Sequence, residues 1–204
     1  TGLNQKIGHF QGITVDKKTG TTKLLDGTTA EVVDLPGTYS LYPKSDDERI
    51  VFQVLADKTN SSYPNVIILI VDASNLRRNM LLYSQVADLG IPMVLALNMT
   101  DLSEKQNIYI HINKLADKLG VQVIPISARS NIGIDKLKTA VFHTTKIATQ
   151  LAAVDLDFLA PEAIEQVKNI IGTENDYYAL QVLHQHHHLK YLTTEQQRQL
   201  TDLE

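Results

Sequence analysis

Two uninterrupted apolar runs restrict the fold of this 204-residue chain more than any other feature of its sequence. Val66–Val71 leads into Asp72, and Pro92–Leu97 leads into Asn98. Runs that do not alternate with polar residues are typical of strands buried on both faces of a parallel sheet. Parallel strands need a crossover between them, usually a helix, so the two runs predict an α/β sheet covered by helices.

The segments around these runs fit such a sheet. A third buried strand is predicted at Gln122–Ile126, and the predicted helices are Ser45 or Asp46 to about Asp57, Asn75–Gly90, Ile108–Leu119 ending at Gly120, and Ile132 to about Thr149. Strands that alternate with helices indicate a doubly wound sheet. Ligands of these sheets bind beyond the carboxyl ends of the strands, so the loops after the strands are the candidate site.

The start of the chain has a different pattern. The segment from Thr1 to Val15 shows no clean period and is predicted to be a mobile loop. Thr19–Leu25 and Thr28–Asp34 are β-rich and flank Asp26-Gly27, which predicts a hairpin with a type I′ turn.

Composition narrows the classes of function. The chain is 43% hydrophobic and 21% charged with a net charge of −4, which predicts a soluble globular protein without a nucleic-acid partner. The absence of cysteine excludes disulfides and cysteine-ligated metals. The longest wholly apolar run is far shorter than the ~20 residues of a membrane span.

Two polar motifs follow predicted strands. In Asp34-Leu35-Pro36-Gly37 the acid can hold a water on Mg²⁺, and Gly37 lets its N–H approach a terminal phosphate because it has no Cβ. In Asn98-Met99-Thr100-Asp101 one carboxylate can accept both the N1–H and the N2 amine of guanine, a donor pair that adenine lacks. Taken alone, each motif is equally an ordinary turn or a helix cap.

A third loop, Ser127-Ala128-Arg129, follows the third strand, and its Ala128 N–H could donate to guanine O6. Together with Gly12-Ile13-Thr14-Val15-Asp16, the motifs occur in an order that resembles a small GTPase domain. Gly-x-Thr-Val-acid, Asp-Leu-Pro-Gly-Thr-Tyr-Ser-Leu and Asn-Met-x-Asp look like the cytosolic G domain of FeoB, the bacterial ferrous iron transporter. The opening Thr1-Gly2-x-Asn4-Gln5 also resembles that family, and the resemblance covers residues 1 to about 149.

The resemblance implies a P-loop GTPase-like, mostly parallel sheet with an edge hairpin in residues 1–149, followed by a small helical domain in 150–204. It implies that Thr14 coordinates Mg²⁺ and senses the γ-phosphate, and that Asp34 holds the Mg²⁺ water shell. The implied nucleotide-binding residues are Gly12, Ile13, Thr14, Val15, Asp16, Asp34, Leu35, Pro36, Gly37, Asn98, Met99, Thr100, Asp101, Ser127, Ala128 and Arg129.

The sequence departs from the family pattern in two ways. GxxxxGK[ST] does not occur in it, whereas in the family this phosphate loop, the first strand and most of the first helix precede residues like Thr1. We therefore expect weak nucleotide binding by these 204 residues. Thr38, Tyr39 and Ser40 follow Gly37, where many GTPases have a water-orienting Gln, so hydrolysis is expected to be slow and no catalytic residue is assigned. The resemblance allows K⁺ as a second cofactor, bound in some members by an Asn of the phosphate loop.

Three helices are predicted after residue 150, at Leu159–Ile171, Asp176–Leu189 and Thr194–Leu203. In the family such a helical domain joins the G domain to the membrane-embedded permease of the same polypeptide and relays nucleotide state. The resemblance thus implies GTP or GDP as ligand and the permease as partner, and it is compatible with a homo-oligomer. It also implies a location at the cytoplasmic face of the bacterial inner membrane. A nucleotide-free interaction module and a soluble ribosome-assembly GTPase are the alternatives.

Two clusters of polar residues invite a metal interpretation. His184, His186, His187 and His188 are best explained as a solvated polar face, although His184 and His188 are spaced to chelate one ion on a helix. The acidic stretch 45–48 is interpreted as a helix N-terminus, where negative charge complements the dipole.

Overall fold

The computed structural model describes residues 6–9, 16–43, 45–145 and 161–204. Its strands are β1 (Lys6–His9), β2 (Asp16–Lys23), β3 (Thr29–Asp34), β4 (Ile67–Asp72), β5 (Met93–Asn98) and β6 (Gln122–Pro125). Its α-helices are α1 (Asp46–Ala56), α2 (Leu76–Asp88), α3 (Thr100–Lys105), α4 (Ile112–Leu119), α5 (Ile134–Thr144), α6 (Pro161–Ile171), α7 (Asp176–Gln185) and α8 (Thr194–Leu203). Short 3-10 turns cover Ala73–Asn75 and His186–His188.

The predicted parallel sheet is present, in the order β4-β5-β6. The central strand β5 is buried on both faces, and Leu95 and Leu97 are fully inaccessible to solvent. For β4 the prediction of burial on both faces is wrong, because Ile68 is 39% and Ile70 is 63% exposed. In the described part of the chain β4 is an edge strand that pairs only with β5, and its Ile67, Leu69 and Val71 side chains reach the packed core.

The hairpin is also confirmed, as part of a separate antiparallel sheet in the order β1-β2-β3. Its turn is not type I′. Gly27 has a φ of 81°, but Asp26 is not among the described non-glycine residues with positive φ. Instead the Asp26 carboxylate accepts the Thr28 N–H at 2.9 Å, and the Gly27 N–H donates to Leu24 O at 3.1 Å. A three-residue loop with its last residue left-handed results.

Several elements differ from the predictions. Lys6–His9 forms β1 against Asp16–Thr19, so the prediction of a loop there is wrong for those four residues. Helix α4 begins at Ile112, four residues later than predicted, and the six-residue α3 was missed because so short a helix has no clear period. The acidic stretch is confirmed as a helix start, with Ser45 Oγ accepting the Glu48 N–H of α1.

The tail helices pack against α1 rather than standing apart. Phe52 and Ala56 of α1 are buried in one apolar cluster with Ile164 and Val167 of α6, Val182 and Leu183 of α7 and Leu200 of α8. The Tyr178 hydroxyl donates to Ala56 O at 2.8 Å, and Asn175 Nδ2 donates to Asp88 O at 2.6 Å. The helix that follows the Asp34–Gly37 loop therefore shares its core with the tail. Within the described residues, none of the helices combines the length and the apolar character needed to span a bilayer.

Candidate functional site

The strand ends bring polar residues to one edge of the parallel sheet. Asp72 is paired in register with Asn98, and Leu97 with Pro125, so the carboxyl ends of β4, β5 and β6 are level. Asn98 is the last residue of β5, and Ser127 follows β6 after one residue. Because loops after parallel strands meet at this edge, it is where the fold can hold a ligand.

A cleft of about 400 Å³ opens at this edge. It is lined by Gly37, Thr38, Tyr39, Ile70, Asp72, Asn79, Asn98 and Met99. Two of the motifs identified in the sequence, Asp34–Gly37 and Asn98–Asp101, thus contribute residues to one cavity. Sequence reasoning missed Asp72, although its place directly after a buried strand was a usable signal. It also missed Asn79, which nothing in the sequence marks out.

The Asn98 and Ser127 loops are tied together directly. The Ala128 N–H, expected to donate to guanine, donates to Asn98 Oδ1 at 3.0 Å. Thr100 Oγ1 donates to Ile126 O at 3.1 Å, and the backbones of Ser127 and Ile132 exchange two hydrogen bonds. These contacts hold the two loops in a fixed relation without a ligand.

The side chains of this pair of loops differ in exposure. Met99 has a φ of 61°, a conformation uncommon for residues other than glycine, and its side chain is 44% exposed beside the cleft. Asp101 is half-buried in the first turn of α3, where the helix dipole favours a carboxylate. Ser127 is buried, and its hydroxyl has no hydrogen-bond partner among the described residues, whereas Arg129 is exposed.

The remaining predicted site residues are placed less completely. Asp34 is exposed at the carboxyl end of β3, and Leu35 packs against the main core. The predictions for Gly12, Ile13, Thr14 and Val15 fall outside the described residues. Asp16 is the first residue of β2, opposite His9.

The loop after Gly37 has two buried anchors that the sequence did not reveal. Leu41 is fully buried, and its N–H donates to Gln85 Oε1 of α2 at 2.8 Å. The Leu41 carbonyl accepts from Gln185 Nε2 of α7 at 3.3 Å. Nearby, the Arg78 guanidinium lies 3.9 Å from the centre of the Tyr39 ring, an attractive cation–π geometry. The loop is therefore held both by α2 and by the tail.

Comparison with known proteins decides the family. Residues 1–141 match the family model described as ferrous iron transport protein B. The chain belongs to this family. The match covers well over half of the sequence, so the resemblance inferred from the motifs is confirmed.

Curated members of the ferrous iron transport protein B family align over the same region. The Fe(2+) transporter FeoB of Shigella flexneri is 43% identical over 141 residues, which are 69% of this chain and 18% of that protein. The Fe(2+) transporter FeoB of Legionella pneumophila strain Paris is 39% identical over 173 residues, which are 83% of this chain and 22% of that protein. The chain thus spans about a fifth of the length of these relatives.

Solved structures of FeoB domains share the fold. The cytosolic domain of L. pneumophila FeoB has a TM-score of 0.77 at 34% identity, covering all of this chain and 88% of that one. A GDP-bound mutant of S. thermophilus NFeoB gives 0.76 at 33% identity, covering all of this chain and 80% of that one. The T. maritima FeoB cytosolic domain in its GMPPNP form gives 0.76 at 26% identity, covering all of this chain and 84% of that one. The predicted α/β GTPase-type fold is confirmed.

Proposed function

We propose that this chain is the GTP-binding, slowly hydrolysing regulatory domain of a bacterial ferrous iron transporter. The observation that carries the proposal is the cleft in which Gly37 and Thr38 meet Asn98 and Met99, since one motif suits a phosphate and the other a guanine. Solved relatives bound to GDP or GMPPNP support it. Slow hydrolysis rests on Thr38, Tyr39 and Ser40, none of which can replace a water-orienting glutamine.

At the base end, Asp101 accepts the two donors of guanine, while Asn98 keeps its loop joined to Ala128. Met99 packs on the ring, for which its exposed apolar side chain is suited. A site built for such paired hydrogen bonds rejects a base that lacks the donors by roughly 10⁴-fold. The polar atoms left unpaired are the cause of that discrimination.

At the phosphate end, Asp34 and Thr14 would hold Mg²⁺, and the Gly37 N–H would donate to the γ-phosphate. The exposed Asp34 carboxylate at a strand end fits an oxygen-preferring ion. Mg²⁺ supplies charge neutralisation for the phosphate oxygens when bound. K⁺ is proposed as a second cofactor only on the basis of the family resemblance.

The phosphate-binding loop itself is proposed to come from a strand and loop that the 204 residues do not include. Residues 1–149 are then an incomplete G domain, and residues 150–204 are the helical domain that follows it. In the described part, β3 pairs only with β2 and β4 only with β5, and Ile70 is an exposed apolar side chain on β4. A strand between β3 and β4 would join the two sheets. Losing four or five charge-assisted bonds of about 1.5–3 kcal/mol each removes the affinity of a micromolar complex.

The experiment compares this chain with one extended upstream, both titrated with fluorescent GDP. The extended chain is expected to bind and this chain to bind at least about 100-fold more weakly. In the extended chain, Asp101→Asn should lose GDP and gain xanthosine diphosphate, because xanthine presents an oxygen where guanine has an amine. Glu104→Gln, an exposed acid on the same helix, is the matched control and should bind GDP normally.

Two results would contradict the proposal. Failure of the extended chain to bind GDP would favour a nucleotide-free interaction module. Equal GDP affinity in Asp101→Asn and Glu104→Gln would mean that Asp101 does not read the base. Gain of xanthosine diphosphate binding by Asp101→Asn alone rules out the nucleotide-free module and shows that Asp101 reads the base.

The tail is proposed to pass nucleotide state to the permease part at the cytoplasmic face of the membrane. Support comes from contacts between the tail and the segments that follow Gly37: Gln185 reaches Leu41 O, and Gln53 Nε2 of α1 donates to His188 O at 2.9 Å. In the full-length transporter, Gln185→Leu should lower GTP-dependent Fe²⁺ uptake while leaving GDP affinity unchanged. Uptake at the wild-type level in that variant would contradict the proposal that the tail passes nucleotide state to the permease.

A further inference from the structure

The prediction of a solvated face for the histidines of residues 184–188 holds for His184, His187 and His188, which are exposed, but it is wrong for His186. His186 is fully buried, whereas His184 and His188 are exposed. The helix α7 ends at Gln185, and His186–His188 form a 3-10 turn, so the helical spacing assumed for His184 and His188 is absent. A different trio comes together instead. His186, His187 and Glu204 each offer one ligand atom, and these atoms all lie within 4.8 Å of one another.

His186 is oriented as a metal-binding histidine usually is. Its Nδ1 lies 2.7 Å from Leu183 O, a carbonyl that can only accept, so Nδ1 carries the proton and Nε2 a lone pair. A hydrogen bond from the far ring nitrogen to a backbone carbonyl is the common support of a metal-ligating imidazole. Nε2 faces α8, because it lies 3.0 Å from Thr201 Oγ1, and Thr201 is one helical turn before Glu204.

The Thr201 hydroxyl has two potential acceptors, His186 Nε2 and Gln197 O, but only one proton to donate. Thr201 Oγ1 also lies 2.9 Å from Gln197 O, to which its only proton can be donated. In that arrangement the Thr201 oxygen and the Nε2 lone pair face each other with nothing between them. A cation at this point satisfies both, together with the Glu204 carboxylate beyond.

The other two groups are positioned to complete the ligand set. The His187 ring lies 3.8 Å from the His186 ring, centre to centre, and His187 Nε2 lies 3.6 Å from Glu204 Oε2. Ligands at 2.0–2.1 Å in a tetrahedral site are roughly 3.3 Å apart, so only small side-chain rotations are needed. Both His187 and Glu204 are about half exposed, which gives an ion a way in from solvent.

We propose that His186, His187 and Glu204 bind a divalent first-row metal ion of the borderline class, such as Zn²⁺ or Co²⁺, which joins the end of α7 to the end of α8. Two imidazoles and one carboxylate suit such an ion and do not suit Mg²⁺ or Ca²⁺, which prefer oxygen ligands. The site lies in the tail, on the 3-10 turn whose His188 carbonyl accepts the hydrogen bond from Gln53. It is therefore separate from the cleft of the proposed nucleotide site.

The test is calorimetric titration of the chain with Zn²⁺, with Mg²⁺ as a second titrant, and visible absorption of the Co²⁺ complex. The expected result is one saturable Zn²⁺ site that Mg²⁺ does not occupy, and Co²⁺ bands that report nitrogen coordination. His187→Ala and Glu204→Gln should each weaken Zn²⁺ binding at least about tenfold, the lower end of what disturbing a metal site costs. Both side chains are partly exposed, so the variants should fold, which thermal unfolding checks.

His184→Ala is the matched control, because it removes an exposed histidine two residues from His186 and should leave the affinity unchanged. The proposal is overturned if no saturable Zn²⁺ site appears, if His187→Ala and Glu204→Gln bind as the wild type does, or if His184→Ala weakens binding as much as they do.

Discussion

Replacing Gln185 by leucine tests how firmly the tail holds the loop that follows Gly37. The amide is 5% exposed, and its Nε2 donates to Leu41 O at 3.3 Å and to Gln181 Oε1 at 3.0 Å. Leucine removes both donors and leaves two buried acceptors without them. A stranded buried acceptor costs about 1–3 kcal/mol, and the long Leu41 contact belongs at the low end of that range.

An opposing effect reduces the loss of folding stability in Gln185→Leu. Gln185 Oε1 is itself buried without a partner among the described residues, so leucine removes one unsatisfied atom and adds apolar burial. The variant leaves two buried acceptors, Leu41 O and Gln181 Oε1, without their donor, but it removes one unsatisfied acceptor, Gln185 Oε1. The net destabilisation is therefore about 1–2 kcal/mol. For a chain of this size that corresponds to a fall of roughly 2–8 °C in the midpoint of thermal unfolding.

Urea unfolding followed by circular dichroism measures the free energy of unfolding. Gln199→Leu on α8 is the control, since that amide donates only to the exposed Glu195 and its loss should stay within about 0.5 kcal/mol. A double variant with Gln85→Leu adds a second reading, because both glutamines bind Leu41 and such partners give interaction energies of about 0.5–3 kcal/mol. Strict additivity, or a Gln185→Leu chain as stable as the wild type, would refute the idea that Gln185 holds the loop.

Three further predictions concern stability. Phe52→Ala should cost about 3–5 kcal/mol in urea unfolding, because this fully buried ring joins α1 to the tail; a loss below about 1 kcal/mol would contradict the shared core. Gly133→Ala should destabilise by several kcal/mol, at least about 1–3 of it from backbone strain, since its φ is 78° and a Cβ would lie 2.3 Å from Pro125 O; a thermal midpoint equal to that of the wild type would refute this. Burial raises the pKa of Tyr178 and Tyr191, so both hold their protons to higher pH in the folded chain than in the unfolded chain, which ionises near pH 10. The free energy of unfolding should therefore fall as pH rises above about 10 and fall less steeply in Tyr191→Phe; unfolding independent of pH up to 11 would count against it.

The parallel strands, most helix positions and the family were predictable because they depend on local pattern. An apolar run such as Pro92–Leu97 records its burial in its own composition, and motifs such as Asn98–Asp101 keep fixed places after strands. The three tail helices were predictable for the same reason, and α8 has the predicted bounds. The turn type at Asp26-Gly27 was not, because a glycine with positive φ suits both a two-residue type I′ turn and the three-residue loop that is present.

The sequence by itself determined most of the strands and helices and the family, and it predicted which loops would bind a guanine nucleotide. Only the tertiary structure decided that Gln85 binds the Leu41 N–H and that Gln185 binds the Leu41 carbonyl, from 44 and 144 residues away along the chain. It also decided that His186 is buried beside Glu204 while His184, His187 and His188 stay exposed. The physical reason is that periodicity records which face of one element is apolar, whereas partners brought together by packing leave no mark in the local pattern of either segment.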